Sequence, residues 1–263
     1  AEVHATKRKA SAANHTATHL MHHALRKVLG THVEQKGSLV TPKSLRFDFS
    51  HFQKVTPEEL QKISEIVNQE ILNNHPLQED RNANIEEAKA KGAMALFGEK
   101  YGDRVRVIQF GESVELCGGI HVSSSAQVGA FILTSEAAVA SGVRRIEAIT
   151  YEKAQGFIKN EFQLLADLRL LLKNPKDLNK QIQGLLNDNN SLNKELEKLQ
   201  QEKSQDIKAV LLKEVEHING VNFLAKKLDL SAADAIRDLA FQMKAEVDDL
   251  FLVLGAEIKG KPN

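Results

Sequence analysis

An α+β fold class, with helices packed on antiparallel β-sheet, is predicted for the first 150 residues, followed by an antiparallel helical hairpin and a truncated α/β tail. Three observations predict it. Short β-rich runs alternate with helical stretches and Gly-containing turns up to Thr150. Beyond Tyr151 the composition shifts to Leu, Lys, Glu, Gln and Asn, with few glycines before Gly220. Apolar residues then repeat in heptads between Leu178 and Leu199. A chain of 263 residues has room for roughly two domains or slightly more, and the divisions expected are 1–150, 151–214 and 215–263.

In chain order, the first helix is expected over Asn14 to Gly30, the second over Pro57 to Asn74 and the third over Ile85 to Gly98. Thr56 before "PEEL" offers an N-cap with Pro in the first turn, and Gly30 and Gly98 stand where helices stop. The runs "RVRVIQF", "GAFILTSEAAV" and "RRIEAIT" read as strands. In the heptad segment, apolar residues fall at 178, 182, 185, 192, 196 and 199, and Asn189 fills the one missing position. Pro175 separates this seam from an earlier helix carrying Phe162, Leu165, Leu168 and Leu172, so the simplest arrangement folds the two back on each other. A parallel dimer with Asn189 setting the register is the alternative. After Gly220 a helix, a second helix starting at a Ser231 cap and a strand "LFLVLGAEI" are expected, the opening of a third domain cut short.

Thirty-five basic and thirty-five acidic residues cancel, so no global field announces nucleic acid. Aromatic residues make up 5% with no Trp, which disfavours a base-stacking platform and leaves phosphate contacts as the mode by which RNA would bind. Local basic candidates are "KRK" at 7 to 9, Lys36, Lys43, Arg46, Arg144 and Arg145, each on its own more simply a solvated charge. No apolar run reaches the roughly 20 residues of a bilayer span, and the N-terminus lacks a secretory core, so a cytoplasmic location is the default. The single Cys117 cannot form an internal disulfide.

The conspicuous stretch is "HTATHLMHH", which places four of the ten histidines between positions 15 and 23. On a helix, with His15 at zero, His19 falls at about 40°, His22 at about −20° and His23 at about 80°, all on one face. Met21, Ala24 and Val28 occupy the opposite side and supply the core stripe, so the histidine face is expected to point away from the core. His15 and His19, one turn apart, can chelate one ion, although HxxxH alone is more often a surface pattern. Cys117 and His121 in "ELCGGIHV" repeat the spacing around a Gly-Gly pair that permits a tight turn. Together they make a Cys-His₃ set, and a thiolate with three imidazoles suits zinc better than the oxygen-seeking magnesium or calcium. A peptidase would need HExxH with its glutamate base; Thr16, Ala17 and Thr18 stand between these histidines instead.

The segments "HTATHLMHHALRKVLGTHVEQKGSLV", "LRFDFSH", "EAKAKGAMALFGEKYGDRVRVI", "ELCGGIHV" and "GVRRIEAIT", in that order, resemble the editing domain of bacterial alanyl-tRNA synthetases. The resemblance covers Asn14 to Thr150 almost without a gap, and the hairpin and tail are similar to the linker and C-terminal domain that follow editing there. It implies a fragment without the aminoacylation half, with zinc on His15, His19, Cys117 and His121. It also implies hydrolysis of the ester joining serine or glycine to tRNA(Ala), with Gln35 and Thr16 in the catalytic pocket. Gly118, Gly119 and Arg144 are the substrate-binding candidates, and a homodimer through the C-terminal region is the partner expectation. The family usually has Thr where this chain has Ile120, which changes pocket polarity and leaves the ligand spacing intact.

A pocket that hydrogen-bonds a serine hydroxyl can discriminate strongly against a ligand lacking it, and Thr16 and Gln35 are the candidates for that contact. Glycine is not explained this way. Four protein ligands normally mark a structural ion. Hydrolysis then requires either a fifth ligand or displacement of one residue, with His22 as a possible alternate. Water is either activated by zinc or positioned by the RNA ribose and the backbone amides around Gly118 and Gly119. His22 and His23 are otherwise expected beside the site or in solvent. The rival function is a non-catalytic, zinc-stabilised scaffold whose hairpin dimerises or spaces domains.

Overall fold

The computed structural model describes residues 2–90, 92–94, 102–230, 233–258 and 261–262. The chain divides into two compact units, Ala1–Asp167 and Leu168–Asn263. Mixed helices and antiparallel sheets bear out the α+β class.

The first unit is organised around α1 (Ala5–Leu29), which Gly30 ends with φ 118°. One antiparallel sheet has the order β1-β2-β7-β6, built from β1 (Gln35–Val40), β2 (Leu45–Ser50), β6 (Ile132–Ala140) and β7 (Val143–Ile149). A second joins β3 (Gln78–Asn84), β4 (Arg104–Phe110) and β5 (Ser113–Leu116) in that order, also antiparallel. The alternation in "LRFDFS" is what turns β2 inward. Leu45, Phe47 and Phe49 are fully buried, while Asp48 on the other face takes a bidentate pair from Arg145 of β7 at 2.7 and 2.8 Å.

Helix α2 (Pro57–Leu72) starts as expected. Thr56 accepts the Glu59 N–H, and the Glu59 carboxylate accepts the Thr56 N–H. Its Ile63, Val67 and Ile71 meet Leu20, Met21 and Leu25 of α1 in the main core. Helix α3 (Ile85–Ala90) is much shorter than the expected span to Gly98. Gly92 takes φ 85° and Met94 pairs with Glu115 as an isolated bridge, so the backbone has left the helical region well before Gly98, which lies outside the described residues. Helix α4 (Tyr151–Leu171) follows β7.

In the second unit, α5 (Leu178–Lys213) is N-capped by Asp177, and Ile182, Leu185, Leu192, Leu196 and Leu199 of its heptad seam are exposed. Its far end differs: Leu211 is buried among Leu224, Leu228, Leu230, Leu239 and Met243. The tail is β8 (Glu216–Ile218), β9 (Val221–Leu228), α6 (Ala233–Glu246), β10 (Leu250–Ile258) and β11 (Lys261–Pro262). Their sheet order is β11-β10-β9-β8, with β9 and β10 parallel across the α6 crossover. This corrects the helix expected over "VNFLAKKL". Asn219 and Gly220 both take positive φ, 52° and 87°, which makes an Asn-Gly hairpin turn and commits the residues on either side to strand pairing. The Ser231 cap lies outside the described residues. Among the described residues no helix is long and apolar enough to cross a membrane.

Candidate metal centre

One turn of α1 and the loop after β5 bring His15, His19, Cys117 and His121 together, each offering one ligand atom, all within 4.8 Å of one another. The Cys117 Sγ lies 3.4 Å from His15 Nε2 and 3.4 Å from His121 Nε2. Tetrahedral zinc with ordinary Zn–N and Zn–S bonds would set such ligand pairs about 3.3–3.6 Å apart. The donor set and the two Cys117 distances therefore fit a four-coordinate, borderline-soft cation.

The outer contacts aim the rings. The His15 Nδ1–H donates to the Ile120 carbonyl at 3.2 Å, leaving its Nε2 turned toward the sulfur. His121 Nδ1 lies 3.0 Å from Thr16 Oγ1, which also accepts the Val122 N–H at 3.3 Å. Thr16 is thus fully buried, and its hydroxyl is occupied in holding His121 and the loop. Gly119 gives its N–H to Cys117 Sγ at 3.3 Å, and a Cβ there would fall within the His15 ring. Gly118 has open space on that side. Arg106 of β4 clamps the loop through the carbonyls of Cys117 and Gly119 at 2.8 and 2.6 Å, while Glu79 of β3 holds its Nε at 2.6 Å.

The expectation that the histidine face points away from the core is corrected. His19 and His22 are buried, because β5 lies over that side of α1. A wheel diagram separates two faces; it cannot tell that a second sheet covers the polar one. Glu115 of β5, itself buried, lies 3.3 Å from His19 Nε2 and 3.1 Å from His22 Nδ1. His22 is accordingly linked to the centre through a carboxylate and is not solvated. His23 faces the exposed Glu112 at 3.5 Å.

Gln35 on β1 lines a cleft of about 280 Å³ with His22, Arg26, Val33, Glu34, Lys89, Gly92, Ala93 and Met94. Arg144 sits in the other sheet, and its Nε donates to Glu136 at 2.5 Å. Among the described residues no contact joins it to the centre. Lys36 pairs with Glu34 and Arg145 with Asp48, whereas Lys7, Arg8, Lys9 and Lys43 are exposed. Sequence reasoning missed Arg106 and Glu115. Glu115 stands two residues before the cysteine and could have been suspected; Arg106 is one of several arginines in strand sequence, with no signal of its own.

Burial, with His19 nearby, pushes the His15 imidazole down to about 4. His19 and His121 move in the same direction, each mainly through burial. Burial alone would raise Glu115, but His19 and His22 outweigh it and hold the carboxyl below its ordinary range. The sign for stability follows. With folded values below the unfolded 6.5, the unfolded chain takes up protons first, so metal-free protein keeps this stability above pH 6.5 and loses it as the pH falls toward 4. Urea titrations of the metal-free protein at about pH 8 and about pH 5 should give the lower midpoint at the acidic pH; equal midpoints would contradict these burials.

The α1 histidine pair facing a Cys-Gly-Gly-Ile-His loop on a small antiparallel sheet defines an α+β domain with a candidate metal centre. Residues 105–147 match the family described as the threonyl and alanyl tRNA synthetase second additional domain. Beyond that segment, the chain is 53% identical over 259 residues, 98% of its length, to the alanine–tRNA ligase of Christiangramia forsetii, of which it covers 30%. It is 51% identical to those of Cytophaga hutchinsonii and Bacteroides fragilis, over 100% and 97% of the chain and 30% and 29% of the relatives. The chain belongs to the alanine–tRNA ligase family and spans about 30% of the length of these curated relatives.

Proposed function

We propose that this chain is the editing part of an alanine–tRNA ligase, hydrolysing the ester of tRNA(Ala) mischarged with serine or glycine, with zinc on His15, His19, Cys117 and His121. The observation that carries the reading is the convergence of those four ligand atoms within 4.8 Å, in a chain so similar to alanine–tRNA ligases. When bound, zinc supplies Lewis acidity to a carbonyl or a water. The chain's own residues orient and select. Ile120 and Thr16 fix the His15 and His121 rings through Nδ1, and Arg106 holds the loop by the Cys117 and Gly119 carbonyls, with open space left beside Gly118. Gln35, whose side chain has no hydrogen-bond partner among the described residues, is free in its cleft to meet the aminoacyl group. The exposed basic residues of α1 and Lys43 are assigned to the RNA phosphates, and the cytoplasm is the location that fits this work.

A second reading, a zinc-stabilised scaffold that dimerises, is favoured by one observation, the exposed seam of α5. Incubation with Ser-tRNA(Ala) and Gly-tRNA(Ala), followed as ester loss, separates the two. Hydrolysis should exceed background, vanish on chelation of the metal, and fall in Gln35→His with metal content unchanged. A folded, zinc-loaded chain with no hydrolysis would leave the scaffold reading.

A further inference from the structure

His22 is not needed to complete the four-residue cluster, yet it is among the most buried polar groups of the first unit, its side chain 6% exposed. Its ring packs against Phe47 with centroids 5.0 Å apart, and Glu115 Oε1 takes up Nδ1. The other nitrogen, Nε2, is buried with no hydrogen-bond partner among the described residues. A buried polar atom left unpaired costs free energy that a ligand can recover. The same residue lines the cleft that holds Gln35.

The carboxylate decides what Nε2 can do. Glu115 is an acceptor, so Nδ1 carries the proton, and in the neutral imidazole Nε2 then presents a lone pair. Such an atom receives a polar hydrogen. Two groups of the aminoacyl moiety itself could provide one, the α-ammonium and a side-chain hydroxyl. The cleft walls favour the neutral donor, because Arg26 and Lys89 stand there, and Glu34, the one acid among the described lining residues, is already paired with Lys36 at 2.9 Å.

Resting on the hydrolytic reading above, we infer that His22 is a specificity-determining residue whose Nε2 accepts the hydroxyl hydrogen of the seryl group. Seryl and glycyl esters share every other polar group, so a residue that reads only the hydroxyl acts on one of them. Thr16 has its hydroxyl committed to His121 and Val122, which leaves His22 and Gln35 to make this contact.

The test uses the 263-residue chain and two amide-linked probes, 3′-serylamino-3′-deoxyadenosine and its glycyl counterpart, with deacylation of Ser-tRNA(Ala) and Gly-tRNA(Ala) alongside. In His22→Asn the amide nitrogen replaces Nδ1 and keeps the bond to Glu115, but nothing stands at Nε2. Affinity for the seryl probe and kcat/KM on the seryl ester should fall on the order of 10-fold, with the glycyl values within about 2-fold and metal content unchanged. His22→Gln, which can place an amide oxygen near the position of Nε2, should restore part of the seryl preference. Equal losses for both probes, with or without loss of metal, would overturn the inference, and so would no loss for either. Parent protein that binds the seryl probe more tightly than the glycyl one yet hydrolyses neither ester would refute the hydrolytic reading while leaving the hydroxyl contact standing. Parent protein with no seryl preference refutes the contact alone if it hydrolyses the esters.

Discussion

Cys117→Ala is expected to leave a chain that folds but does not retain the zinc proposed for the four-residue cluster. Cys117 makes no disulfide and is only half-buried at the edge of the core, so truncating it removes little apolar contact. Its sulfur, however, is the group shared by His15 and His121, 3.4 Å from each Nε2, and the only thiolate in the set. Three imidazoles without it bind zinc far more weakly, by more than the 10–100-fold on the order of which outer-shell changes cost. Elemental analysis after dialysis is the measurement, with circular dichroism to establish the fold. Full metal occupancy in the variant would mean that the thiolate is not a ligand.

Gly119→Ala is the second large effect. The added methyl would occupy the space of the His15 ring. The backbone has little freedom to retreat, because Arg106 holds the Gly119 carbonyl and the Gly119 N–H is given to Cys117 Sγ. His15 must therefore leave its hydrogen bond to Ile120, and with it the position from which Nε2 faces the sulfur. The expected outcome is loss of metal together with a destabilisation of about 1–3 kcal/mol, the range of an overpacked site. Gly118→Ala, where a Cβ meets open space, is the control and should keep both metal and stability. Similar behaviour of the two variants in metal analysis and urea unfolding would remove the packing argument.

Much of the architecture was legible before any coordinate. The Thr56 cap, the Gly30 stop and the strands around Val107, Leu133 and Ile146 follow from local chemistry, which acts over a few residues. One failure was local too. "VNFLAKKL" reads as a helix if the Asn219-Gly220 turn before it is overlooked. Helix α3 ends early because Met94 gives its N–H to Val114 and accepts that of Leu116 in β5, a partner distant in sequence.

The candidate site divides along the same line. Spacing alone named the four ligand candidates, since one helical turn and one Gly-Gly loop each present two donors together, and the residue types selected the metal class. Only the tertiary structure decided what surrounds them. It buried the histidine face that the wheel turned outward, put Glu115 between His19 and His22, and used Thr16 to hold a ring. It also tied up Arg144 against Glu136. Ligand identity is a property of residue chemistry and short-range periodicity, which a sequence carries on its face. Orientation, burial and the unpaired nitrogen of His22 arise where α1, β2 and β5 pack against one another, and that packing brings together residues about a hundred positions apart.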